Sequence, residues 1–272
     1  MNYARRRRLI VGAGAGFLIL ALIAPLVPGL LPSEDPEPTA VAPPPTASVS
    51  TEPTAPSTTV DVSGMPPAAQ SCPAEDGSSP RTTSFDGPPP MCIDVERVHV
   101  AVFDTSEGEI RVTLDTADTP ITANNFVSLA RWGYYDGTTL FRTDPSIDII
   151  QGGAPHTESP SDPGPGYRIP DEPQFDLNPD TGALTGPYRY EPGQLVMARA
   201  AGRDSAGAQF FFSTGPNTAN LDGQGIYVAF GETDAAGLDV LQSIIGLHVP
   251  GPSLGGAPSR TVTVNSVTIE VT

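Results

Sequence analysis

The sequence predicts a mostly β domain, a closed antiparallel β-barrel capped by two α-helices, behind a transmembrane helix and a disordered linker. Three observations predict it. Between residues 96 and 272, many short alternating or apolar runs are separated by turn residues, the pattern of an antiparallel sheet that curls on itself. Only two stretches of that region carry helical periodicity. Upstream, one uncharged apolar run is followed by a segment dense in Pro.

The N-terminal elements come first. Arg5 to Arg8 form a basic tail (1–8), and Leu9 to Leu31 is an uncharged run. As a helix that run spans about 35 Å, enough for a bilayer core. Four Arg before it, with Glu34 and Asp35 after it, place the N-terminus in the cytoplasm and the rest outside. The expectation is a single-pass signal-anchor (9–31) in the cell membrane, with the lipid bilayer as its partner. The competing reading is a cleaved signal peptide with an apolar stretch around Phe17 to Ala24, but no clean small-x-small site ends it. Residues 32–70 hold ten Pro and no aromatic residue, so they bury too little apolar surface to order the chain and read as a spacer. Residues 71–95 form a lead-in. Cys72 and Cys92 flank a stretch full of turn formers and read as a disulfide in an oxidising compartment.

Ordered patterning begins near Val95. Val98, Val100 and Val102 alternate with Arg97, His99 and Ala101, then Ile110, Val112 and Leu114 alternate with Arg111 and Thr113. With Glu107-Gly108 as the turn this is a hairpin, and the phase puts His99 on its exposed face. Thr119-Pro120 reads as N-cap and first residue of a helix striped by Phe126, Leu129 and Ala130 and ended by Gly133. Short strands are expected at Thr139 to Arg142, Ile147 to Gln151, Leu195 to Ala198, Gln209 to Ser213 and Ile226 to Phe230. A second helix fits Ala235 to Ile245, and Thr261 to Val271 closes as a strand. Between Ala154 and Pro192 runs a long irregular section rich in Pro, Gly and Asp, of the length that usually serves a site or its wall.

Charge and motif content exclude several functions. The formal net charge is -17, and beyond the basic tail only ten Arg face 31 acidic residues. Such a body repels phosphate backbones, so nucleic acid is not a partner. Two cysteines cannot build a metal cluster, Asp144 and Asp148 lack the rest of an EF-hand loop, and no Walker A, dinucleotide or H-E-x-x-H pattern occurs. Asp204-Ser205-Ala206-Gly207 is a polar turn rather than a nucleophile elbow. No metal and no cofactor are expected.

What remains is a scattered set of short motifs: Pro120 to Phe126, Gly133 to Arg142, Ile149 to Gly153, Gln194 to Ala198, Ala208 to Phe212, and Leu221 to Gly231. In this order they resemble a cyclophilin-type peptidyl-prolyl isomerase, over residues 96–272, in a bacterial membrane-anchored form. The resemblance implies a cyclophilin-like domain that accelerates X-Pro isomerisation in Pro-containing polypeptides folding outside the cytoplasm. It implies Arg142 and Gln151 as catalytic residues. It makes Met197, Phe211 and Leu221 the proline pocket, with Ile147, Ile149 and Tyr227 beside them, and Ala198 and Gln209 the peptide contacts.

Departures from the family pattern are visible. Phe141 stands where the family has His, Arg199 where it has Asn, Asn220 where it has Trp, and Tyr227 where it has His. One extra residue between Arg142 and Gln151 lets either Ile147 or Asp148 occupy a pocket-wall position, and an apolar ring site favours Ile147. Loss of the Trp implies weak cyclosporin binding. The alternative function is a catalytically weak module that holds Pro-containing segments of an envelope partner.

Overall fold

The computed structural model describes residues 71–251 and 254–272. The basic tail, the expected membrane span and the linker lie outside the described residues. Among those described, no helix is long and apolar enough to cross a membrane.

The chain opens with a hairpin of β1 (His99–Thr105) and β2 (Gly108–Leu114), in which Phe103 pairs with Ile110 and Ala101 with Val112. The hairpin is where the sequence predicts it, but its first strand is turned over. Ala101 and Phe103 are fully buried and His99 is 1% exposed, whereas Val98 is 49% exposed. The expectation of an exposed His99 is therefore corrected. A strand has one inward phase, and the large Phe103 ring in the core outweighs the run of smaller valines. His99 donates from Nδ1 to the Arg97 carbonyl (2.9 Å), and burial pushes its imidazole below the usual range.

Helix α1 (Pro120–Arg131) follows, then β3 (Thr138–Thr139), β4 (Arg142–Asp144) and β5 (Ile149–Gly152). After the long loop, which holds only the short pair β6 (Asp176–Leu177) and β7 (Leu184–Thr185), come β8 (Gln194–Arg199) and β9 (Ala206–Ser213). A 3-10 turn (Pro216–Leu221) leads to β10 (Ala229–Thr233), α2 (Ala235–Ile245), β11 (His248–Pro250), β12 (Gly256–Pro258) and β13 (Thr263–Val271). Eleven strands form one antiparallel sheet in the order β11-β12-β4-β5-β9-β8-β10-β2-β1-β13-β3.

The sheet curls, with the two helices packed on it, but it does not close. The expectation of a closed barrel is corrected, because β11 and β3 end the sheet without pairing to each other. Both are only two or three residues long, too short to carry a closing ladder. Entering and along β13 the buried positions pass from Val262, just before the strand, and Val264 to Val267, a change of phase. The change matches a bulge, since Asp104 pairs with Ser266 while Thr105 pairs with Val264, leaving Asn265 extra. The strand expected at Ile226 to Phe230 begins at Ala229 instead. Tyr190 Oη contacts both the N–H and the carbonyl of Tyr227, occupying groups that a ladder would have used.

The lead-in is fastened to α1. Cys72 and Cys92 are disulfide-bonded. Asn124 accepts from the Cys92 N–H (2.6 Å) and donates to the Pro90 carbonyl (2.8 Å). Phe85 lies 4.8 Å from the Trp132 ring. This strap covers a helix face that would otherwise meet solvent, so α1 is buried from Ile121 to Arg131.

Candidate functional site

Cross-strand pairing assembles the site. Arg142 on β4 pairs with Gln151 on β5, Gln151 with Phe211 on β9, Phe211 with Val196 on β8, and Val196 with Ala229 on β10. Residues directly opposite in a ladder share a face, so these five side chains form one row across five strands. Ile149 and Gln209 lie two residues from members of the row and fall on the same face.

An apolar patch occupies the middle of that row. Ile149, Tyr190, Val196 and Phe211 are buried, and Ile147, Tyr188, Ala198, Leu221, Tyr227 and Ala229 pack against them half-buried. Tyr227 meets Phe211 edge-on at 5.7 Å. Burial pushes the Tyr227 phenol above its usual range, opposed by the positive charges of Arg199 and Arg142. The patch is separate from the main core, which fills the other side of the sheet.

Polar groups line one edge. Arg142 donates from Nη1 to Gln151 Oε1 (2.9 Å), from Nη2 to Asp144 Oδ2 (2.9 Å) and from Nε to the Leu254 carbonyl (2.7 Å). Gln151 passes the chain on, donating to Gln209 Oε1 (2.8 Å), and Gln209 donates to the Pro160 carbonyl (3.3 Å). A guanidinium has five N–H groups, so two remain without a protein acceptor among the described residues. The arrangement can hold a compact apolar ring and aim a charged donor at an atom beside it.

A match to the family model "Cyclophilin type peptidyl-prolyl cis-trans isomerase/CLD" runs over residues 100–269. The chain belongs to the cyclophilin family. A probable peptidyl-prolyl cis-trans isomerase B of Mycobacterium tuberculosis is 34% identical over 180 residues, 65% of this chain and 56% of that protein. The chain thus spans little more than half the length of that relative. A peptidyl-prolyl cis-trans isomerase of Helicobacter pylori is 33% identical over 152 residues, 56% of this chain and 83% of its own. The fold is that of a cyclophilin from Cryptosporidium parvum, which superposes with a TM-score of 0.50 at 24% identity, over 64% of this chain and 98% of that one.

Within this cyclophilin domain, the structure brings together Arg142, Gln151, Gln209, Ile147, Ile149, Ala198, Phe211, Leu221 and Tyr227. It does not bring Met197. That side chain is 1% exposed and belongs to the main core, so its expected place in the proline pocket is corrected. Consecutive strand residues point to opposite faces, and Met197 and Ala198 cannot both line one site. Val196 takes the place expected of Met197. The Gln194 to Ala198 run is apolar on both faces after its first residue, so its composition conceals the phase that pairing with Phe211 reveals.

The choice between Ile147 and Asp148 is made by the backbone. Asp148 has φ +46, and its carboxylate accepts from the Asn217 N–H (2.7 Å), while Ile147 packs on the apolar patch. Asp148 thereby anchors the 3-10 turn that carries Leu221. Gly215 permits this approach, because a Cβ there would lie 2.6 Å from Asp148 Oδ2. Sequence reasoning missed Val196, Ala229, Tyr188, Tyr190, Asp144 and Leu254. Only the spacing of Asp144 from Arg142 offered a signal for any of them.

Proposed function

We propose that this domain is a peptidyl-prolyl cis-trans isomerase acting on exported polypeptides at the outer face of the cell membrane. The observation that carries the reading is the Arg142 guanidinium, held by Gln151 at the edge of an apolar patch with two N–H groups unengaged. An X-Pro bond rotates over a barrier of ~20 kcal/mol because amide resonance is lost in the twisted state. As resonance is lost, the lone pair localises on the proline nitrogen. Arg142 donates to that nitrogen, and the bond is strong only in the twisted state, which is differential transition-state binding. Phe211, Leu221, Ile147, Ile149 and Tyr227 hold the ring, while Gln151, Gln209 and Ala198 meet the peptide chain. No proton is transferred and no covalent bond forms, so the reaction needs neither metal nor cofactor.

Arg5 to Arg8 with the Leu9 to Leu31 run supports a single-pass anchor with a cytoplasmic N-terminus, and the Cys72–Cys92 bond supports an oxidising outer compartment. Asn220, in place of a flat aromatic, supports weak cyclosporin binding. It donates instead to the Ser146 carbonyl (3.3 Å).

The test is cis/trans exchange of a short X-Pro peptide, read by NMR with the full chain and with Arg142→Ala. Accelerated exchange that is lost in the variant is expected. Binding without acceleration would turn the reading into a module that only holds Pro-containing segments.

A further inference from the structure

We propose that Asp144 is a positioning residue that fixes the Arg142 guanidinium. The kinetic part of this inference rests on the isomerase reading of the site.

Asp144 lies two residues after Arg142 on β4, so strand alternation puts both side chains on one face. Oδ2 accepts from Arg142 Nη2 at 2.9 Å, and the two side chains are only 11% and 16% exposed. The other carboxylate oxygen, Oδ1, accepts from Ser146 Oγ (2.6 Å) and from the Ser146 N–H (3.2 Å). Both oxygens are thus committed, and the carboxylate itself cannot rotate freely.

The β11–β12 hairpin closes over this pair. Gly256 pairs with Thr143, and Gly255, at φ +82, sits so close that a Cβ there would lie 2.7 Å from the Asp144 Cβ and Cγ. A residue with a side chain at 255 would push the hairpin off the carboxylate. The same hairpin brings the Leu254 carbonyl to Arg142 Nε. All three guanidinium nitrogens are therefore tied: Nε to Leu254, Nη1 to Gln151 and Nη2 to Asp144. A planar group held at three points has one orientation, and its two spare N–H groups keep a fixed direction. Without Asp144 only the Leu254 and Gln151 contacts remain, and the guanidinium could rock about the line through Nε and Nη1 with Nη2 untied, which would lower the fraction of complexes aligned with the proline nitrogen.

Asp144 also offsets part of the Arg142 charge, and two substitutions separate charge from position. Asp144→Asn keeps an acceptor oxygen for Nη2 and removes the charge; Asp144→Ala removes both. With the full chain, positioning predicts that Asp144→Ala lowers kcat about tenfold, the effect of one charge-assisted hydrogen bond, with KM nearly unchanged. Asp144→Asn should restore kcat to within a few-fold of the parent. Side-chain NMR should show distinct Arg142 Nη signals in the parent and in Asp144→Asn, averaged to one in Asp144→Ala. Ser146→Ala, which leaves the pair and the backbone N–H bond to Oδ1 but removes the hydroxyl bond, should give a smaller fall and guards against a misfolded variant.

Unchanged kcat together with unchanged Nη signals in folded Asp144→Ala would overturn the proposal. So would equal losses in Asp144→Ala and Asp144→Asn, which would assign the effect to charge. If the parent chain accelerates no exchange, the isomerase reading fails. The Nη signals then decide the positioning claim by themselves.

Discussion

Two Arg–Asp pairs sit on the same sheet and do different things. Arg142 and Asp144 meet at 2.9 Å on the edge of the apolar patch, and Arg199 and Asp171 meet at 2.9 Å with side chains 3% and 1% exposed. Arg199 also donates to the carbonyls of Ile226 and Gly202, and it lies 5.0 Å from the centre of the Phe175 ring. Asp171 in turn accepts from the Asp204 N–H (3.1 Å). That pair is consumed by the fold: it ties the long loop to β8. Arg142 keeps two donors in reserve at a surface a substrate can reach. The ion pair is the same in both places, and what differs is the hydrogen-bonding capacity left over.

The comparison can be broken from either end. Asp171→Ala leaves a buried cation unpaired and should cost about 3–5 kcal/mol of stability, read as a lower denaturant midpoint. Its activity per folded molecule should stay near that of the parent. Arg142→Ala should do the reverse. Stability should fall less than in Asp171→Ala, since this pair is the more exposed of the two and Asp144 keeps its Ser146 hydrogen bonds, while kcat/KM for X-Pro exchange falls about 10²–10³-fold, as for removal of one transition-state donor. Equal activity losses in the two folded variants would erase the distinction.

Smaller effects sharpen it. Replacing both Cys72 and Cys92 by Ser should cost about 3 kcal/mol in the chain-entropy model for a loop of this length, with Arg142 chemistry untouched. Protection of α1 amides from hydrogen exchange should fall with it, because the strap lies on that helix. The smallest effect concerns Glu172, which accepts from the Ile121 N–H (2.8 Å) and the Thr122 N–H (2.7 Å) and so caps α1 from the long loop. Burial raises its carboxyl above the usual range, against the pull of those hydrogen bonds. The folded chain therefore binds more protons than the unfolded chain between the ordinary and the raised value. Stability should decline as pH rises through that window and level off above it. Denaturation midpoints followed upward in pH from the ordinary glutamate range should show the decline in the parent and not in Glu172→Gln.

The two helices show what could be read in advance. α2 spans Ala235–Ile245, as its periodicity predicts, and its own Asp234 caps it by accepting from the Gly237 N–H (2.9 Å). α1 begins at Pro120 as expected, but Thr119 gives no cap and turns to the Asp115 carbonyl (2.6 Å). Its cap comes from Glu172, some fifty residues away, which no local pattern announces.

The site divides in the same way. Arg142, Gln151, Phe211 and Leu221 were legible because short motifs in a fixed order carry the family resemblance. Hydrophobic period and turn residues, both local properties, placed the hairpin, the helices and most strands. The inward phase of β1, the exchange of Val196 for Met197, the open ends of the sheet and the clamp of Asp144 and Leu254 on Arg142 were decided by tertiary structure. Each depends on which strand lies beside which, and a strand that is apolar on both faces, or a carbonyl that arrives from a distant hairpin, leaves no periodic trace in the chain.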